Sequence, residues 1–203
     1  MKKLMFNDRY GLTQAVIEGR KTMTRRIVYI NTMLRHVLKE ILNEPCGTKQ
    51  EEYLKSARYK VGEIVAVAQR YEDLANIYHD KGLYLFQLSK VHGYKLAYIT
   101  KLPGWRNKMF VKSELMPHQI RITGIKCERL QDISDEECLR EGIRQFTPNF
   151  PKNYPIHPTH FVIGDILKDT PREAFAELID KVSGKGTWAS NPWVVAYEFE
   201  LVK

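Results

Sequence analysis

Residues 170–184, TPREAFAELIDKVSG, leave the chain little choice of local structure. Thr170 is placed to cap a helix, Pro171 suits its first turn, Glu173 stands where a capping box needs it, and Gly184 provides the stop. Phe175, Leu178, Ile179 and Val182 recur at helical spacing and form one apolar face. Soon after comes WVVAYEFELV, in which Trp193, Val195, Tyr197, Phe199 and Leu201 alternate with their neighbours and predict a strand. A helix with an apolar stripe followed by a half-apolar strand calls for helices packed on a sheet.

The rest of the chain mixes the two periodicities without a regular βαβ rhythm. A first helix is predicted from Asp8 to Glu18, capped by Asn7 or Asp8 and closed by Gly19. The piece from Lys21 to Tyr29 reads as extended. A second amphipathic helix is predicted near Thr32 to Leu42. Val61 to Gln69 reads as a strand whose unbroken apolar run implies burial on both faces, and His118 to Leu130 as another. ISDEECLREGI predicts a short helix with a Ser134/Glu137 capping box, ended by Gly142. Residues 146–160 carry enough proline to be loop, and 70–112 read as an irregular excursion from the core. The fold class is α+β, with a mixed or antiparallel sheet that could close into a barrel. The 203 residues suit one domain with insertions at 30–60 and 70–112.

Charge narrows the partner. The net charge is +8 and the pI about 9.3, which favours polyanions such as nucleic acid. Cys46, Cys127 and Cys138 show neither a disulfide framework nor a zinc pattern, which fits a reducing compartment. The apolar run at the N-terminus is too short for a signal sequence, and no stretch approaches the roughly 20 apolar residues of a membrane span. The expected location is the cytoplasm.

The cations concentrate in EGRKTMTRRIV, residues 18–28, where Arg20, Lys21, Arg25 and Arg26 surround Thr22 and Thr24 just after Gly19. Two uses are open. Guanidinium groups and turn amides can converge on a phosphate. Alternatively Lys21, desolvated or crowded by arginines, can lose its proton and activate the hydroxyl of Thr24. Strict strand alternation puts Lys21 and Thr24 on opposite faces, so the second use requires a turn or bulge at Lys21. Glu141 stands at the negative end of its helix, an unfavourable place for a carboxylate. Weaker candidates are the SGKGTW stretch, which lacks phosphate-loop spacing, His157 with His160, and Trp105, Trp188 and Trp193 as stacking surfaces. No metal or cofactor is expected.

GRKTMTRR after an amphipathic helix resembles the signature of the ASCH domain family, a PUA-like group, in its gut-bacterial and phage form. The matching residues are Gly19, Lys21 and Arg26, and VGEIVAV, ERLQDISDEECLREGI and WVVAYEFELV are similar to later family segments. The resemblance implies a small PUA-like β-barrel with flanking helices, and a basic cleft that binds RNA or a modified nucleotide through Gly19, Arg20, Arg25 and Arg26. Some short members are amidohydrolases that deacetylate N4-acetylcytidine. On that alternative Thr24 is the nucleophile, Lys21 its base and Glu141 a proton donor or orienter. A third reading makes the Tyr-rich excursion at 70–112 a protein-docking surface.

Overall fold

The computed structural model describes residues 1–28, 54, 57–77, 81–147 and 159–202. The helix expected over 32–42, most of the insertion at 30–60, Cys46, and residues 148–158 with His157 lie outside the described residues.

Two sheets carry the fold. The larger has five strands: β1 (Lys3–Leu4), β2 (Met23–Ile27), β3 (Ile64–Val67), β4 (Gln119–Arg129) and β8 (Trp193–Leu201), in the order β1-β3-β4-β8-β2. Among the described residues only the β1–β3 pair is parallel. The smaller sheet is antiparallel and comprises β5 (Arg144–Phe146), β6 (His160–Ile163) and β7 (Ile166–Lys168). Among the described residues no strand pairing joins the two sheets or closes either one. The architecture is α+β, and no described helix is long and apolar enough to cross a membrane.

Strand β8 lies between β4 and β2, and this changes its burial. Alternation predicts one buried face, yet Val194 and Ala196 are as inaccessible as Val195, Tyr197 and Phe199, while Leu201 is exposed. A central strand covered on both faces buries its whole run, and alternation survives only toward its uncovered end. The β4–β8 ladder shifts register between Ile122 and Gly124, a bulge within the longest pairing of the sheet.

Strand β3 is buried on both faces from Val65 to Val67, as its apolar run implies, while Ile64 at its start is exposed. Val65 and Val67 belong to the main core, with Ile120, Ile122, Leu130 and Phe199. Ala66 and Ala68 belong to a second core made by the segment that follows. That segment is not irregular. It forms α2 (Tyr71–Ile77), α3 (Lys81–His92) and α4 (Pro103–Arg106), with 3-10 turns between and after them. Tyr71, Leu74, Leu88, Ile99 and Trp105 pack together there. The Tyr71 hydroxyl ties this core to its border, accepting from the Lys112 amide at 2.7 Å and sharing a 3.0 Å hydrogen bond with His92 Nε2. Proline and glycine in LPGWRNK suggest only a turn. In the structure Pro103 opens a helical turn instead, and Gly104 lets it sit against the Tyr71 ring.

The remaining helices follow their caps. The N-terminal helix is broken: a 3-10 turn at Asp8–Tyr10 ends at Gly11, in the left-handed conformation, before α1 (Leu12–Ile17). In α5 (Asp135–Arg140) the Ser134 hydroxyl accepts from the Glu137 amide and the Glu137 carboxylate accepts from the Ser134 amide, the expected box. In α6 (Pro171–Ser183) Thr170 caps the Glu173 amide, but no return bond from Glu173 is made. A short α7 (Thr187–Ser190) precedes β8. The hairpin β5–β6–β7 falls partly where proline content predicts only loop. Its β6–β7 turn uses Gly164 at φ 58°.

A methyl group at Gly104 would lie 2.6 Å from a Tyr71 ring carbon and 3.2 Å from the Phe110 carbonyl oxygen. Tyr71 is fully buried and cannot swing into solvent. Gly104→Ala should therefore cost about 1–3 kcal/mol through overpacking, seen as a lower melting temperature. An unchanged melting temperature would mean that the ring has room to give.

Candidate active site

A cavity of about 740 Å³ opens between the N-terminal segment, β2, the end of α5 and α6. Its polar floor is built from a turn. Gly19, at φ 72°, ends α1, and the amides of Gly19 and Lys21 donate to the carbonyls of Val16 and Ala15. The Thr22 amide then donates to the Arg140 carbonyl at 2.9 Å, which draws the turn against the end of α5. Strand β2 begins only at Met23, so Lys21 precedes it and is free of strand alternation. The turn that Lys21 and Thr24 need in order to share a cavity is therefore present, and both line it.

Lys21 is 1% exposed. Its Nζ donates to Glu141 Oε2 at 2.5 Å and to the Glu141 carbonyl oxygen at 2.7 Å. A cation at the carbonyl end of α5 meets the favourable pole of the helix, and it offsets the poor placement of Glu141 there. Burial pushes the Lys21 ammonium toward losing its proton, against the opposing pull of Glu141 and with a push from Arg26 and Arg25. Glu141 Oε1 also accepts from Arg25 Nη1 at 3.2 Å. One carboxylate thus joins the amine to a guanidinium.

Arg25 is inaccessible and completely engaged. Its Nε donates to Glu128 at 2.9 Å and its Nη2 to Glu137 at 2.5 Å. The sheet makes these contacts possible. Arg25 on β2 and Lys126 on β4 both face Ala196 of the strand between them, and its small side chain lets long ones meet across it. Lys126 pairs with Glu128 and Glu137 and completes the cluster. A second engagement of Glu137, beyond its cap, was not legible in the sequence.

The other candidates separate. Thr24 is buried, lines the cavity, and its hydroxyl makes no hydrogen bond among the described residues. Arg26 is exposed, donates to the Met5 carbonyl at 2.6 Å, and borders both this cavity and a neighbouring one of about 520 Å³. Gly19 and Arg20 do not line it: Gly19 shapes the turn, and Arg20 pairs with Glu18 at the surface. The four cations of this stretch therefore do not form one anion cradle, because Arg25 and Lys21 are neutralised by carboxylates.

The weaker candidates resolve structurally. In SGKGTW the Gly186 and Trp188 amides donate to the Asp180 carboxylate at 3.0 and 2.8 Å, so a side chain occupies the place of a phosphate. His160 pairs with Asp169, and no group of three metal-ligating side chains occurs among the described residues. Trp105 is core, Trp188 meets Phe175 edge to face at 6.1 Å, and Arg129 stacks over Trp193 at 4.5 Å. None of the three lines the cavity. Burial raises the Cys138 thiol to about 12 and leaves it inert.

Glu141→Ala would leave Lys21 and Arg25 buried around a missing carboxylate. A loss of about 3–5 kcal/mol in urea unfolding is expected, against about 0–1 kcal/mol for Glu198→Ala in its half-exposed pair with Arg140. Equal losses would refute a buried, mutually dependent cluster. Comparison with family models, with curated proteins and with solved structures gave no match, so the chemistry of the site rests on its own geometry.

Proposed function

We propose that the chain is an amidohydrolase for an N-acylated nucleobase, with N4-acetylcytidine as the reference substrate, and that it belongs to the ASCH type of PUA-like domain. The observation that carries this reading is the direct contact of buried Lys21 with Glu141, on a cavity wall shared with the unbonded hydroxyl of Thr24. An amine with a lowered proton affinity and a hydroxyl that share one cavity wall are the two groups nucleophilic catalysis requires.

The chemistry is acyl transfer in two halves. Neutral Lys21 takes the Thr24 hydroxyl proton while Oγ1 attacks the amide carbon. The carbon–nitrogen bond breaks, and the exocyclic nitrogen leaves with the proton returned by the Lys21 ammonium. Water, deprotonated by the same amine, adds to the acyl-threonine ester; the carbon–Oγ1 bond breaks, Oγ1 takes the proton back from the Lys21 ammonium, and the acyl group leaves as the carboxylic acid, which ionises in solvent. Glu141, held by Arg25 from its far oxygen, orients the amine throughout. The apolar lining from Phe6, Leu12, Phe175 and Leu178 suits the flat face of a base.

A second reading, a binding module for RNA or a modified nucleotide without turnover, is favoured by the lining charge: seven cationic side chains against two carboxylates. Turnover separates the two. Purified protein with N4-acetylcytidine should yield cytidine and acetate. Lys21→Ala and Thr24→Ala should each lower kcat/KM by at least about 100-fold, while Thr24→Ser retains part of it. Because burial lowers the Lys21 proton affinity, kcat/KM should rise with pH through that titration and level off above it. Absence of cytidine release, or release insensitive to both alanine variants, sinks the hydrolase and leaves the binding module.

A further inference from the structure

Four of the seven cations lining the cavity have a carboxylate partner. Lys21 has Glu141, Arg25 has Glu128 and Glu137, Arg70 has Asp73, and Lys108 has Asp8. The two lining carboxylates, Asp8 and Glu141, are both within those pairs. Arg9, Arg26 and Arg106 remain, all exposed and all without a carboxylate partner among the described residues. Arg9 rests over the Tyr10 ring at 5.7 Å, and Arg26 holds the Met5 carbonyl through one Nη atom. Each of the three is exposed and lacks an ion pair among the described residues, whereas the buried cations beside them are paired, although the Glu141 carboxylate still acts on Arg26 from a distance.

The helical excursion supplies one of these groups and is fixed in place. Arg106 ends α4, packed on its own core, and Asn107 and Lys108 follow it along the cavity wall. Lys108 Nζ donates to the Phe6 carbonyl, to Asp8 at 2.7 Å and to Thr13 at 3.0 Å. These bonds staple the excursion to the segment that carries Arg9. Arg9, Arg106 and Arg26 thus line one cavity from three segments of the chain: the N-terminal turn, the end of α4 and β2.

We propose that Arg9, Arg26 and Arg106 form a phosphate subsite at the mouth, so that the ligand is a nucleotide rather than a bare nucleoside. This deepens the reading of the floor as a nucleobase site and rests on it for the identity of the attached group. Guanidinium groups bind phosphate oxygens through paired, charge-assisted hydrogen bonds, and three of them lining one cavity offer several such donors to a single anion. The phosphate belongs either to a mononucleotide or to an RNA chain, which share this chemistry.

Binding tests the subsite without requiring turnover. Cytidine, cytidine 5′-monophosphate, inorganic phosphate and a short single-stranded cytidine oligonucleotide are titrated into the Thr24→Ala protein at low salt. The monophosphate should bind at least about tenfold more tightly than cytidine, an advantage that shrinks in Arg106→Gln and Arg9→Gln while cytidine affinity stays constant. Tighter binding of the oligonucleotide than of the monophosphate assigns the phosphate to an RNA chain; the reverse order assigns it to a free nucleotide. Equal affinity for cytidine and its monophosphate, or an advantage that survives both substitutions, overturns the proposal. A phosphate advantage in a protein that releases no cytidine keeps the subsite and removes only the hydrolase.

Discussion

The carboxylate of Glu141 is the interaction on which the site depends. It lies between two cations that are otherwise stranded in the interior, the amine of Lys21 and the guanidinium of Arg25. Taking each of those charges out of water costs several kcal/mol, and only close, hydrogen-bonded partners recover it. Glu128 and Glu137 supply the rest of that compensation from β4 and α5. The cluster also has a structural effect. Among the described residues strand β2 pairs with β8 alone, and Arg25 reaches past that neighbour to the next strand and to a helix. The electrostatics that tune Lys21 are the same contacts that hold β2 to the helical layer.

Much of the fold could be read from the sequence wherever local chemistry agreed with packing. The capped helices at 135–140 and 171–183 appear within a residue or so of their signals, because Ser134, Thr170 and Gly142 act locally. Strands β3, β4 and β8 also lie where apolar patterning puts them. The helices at 71–106 were hidden because α3 has no amphipathic stripe: Leu83 and Phe86 face outward while Tyr84 and Leu88 are buried. Strand β5 was hidden because its three residues are all exposed and carry no pattern.

Site legibility follows the same division. Lys21 and Thr24 stand out in the sequence by their neighbourhood and Glu141 enters through the family resemblance, and the structure brings Lys21 and Glu141 into contact. Charge density was a poorer guide. It counted Arg25 and Arg20 with Arg26, although their carboxylate partners, Glu128, Glu137 and Glu18, decide which cation is left to face a ligand. Arg9 and Arg106 could not be picked out at all, since nearly a hundred residues separate them in sequence and only the tertiary staple at Lys108 makes them neighbours of one cavity.

The division of β3 between two cores, with valines on one side and alanines on the other, has a further effect on how the chain finds its register. A slip of one position would drive Val65 and Val67 into space sized for a methyl group. The same slip would put Ala66 and Ala68 where branched side chains fill the main core. Each core thus proofreads the alignment that the other needs, and the short parallel strand beside it, only two residues long, inherits a correct template.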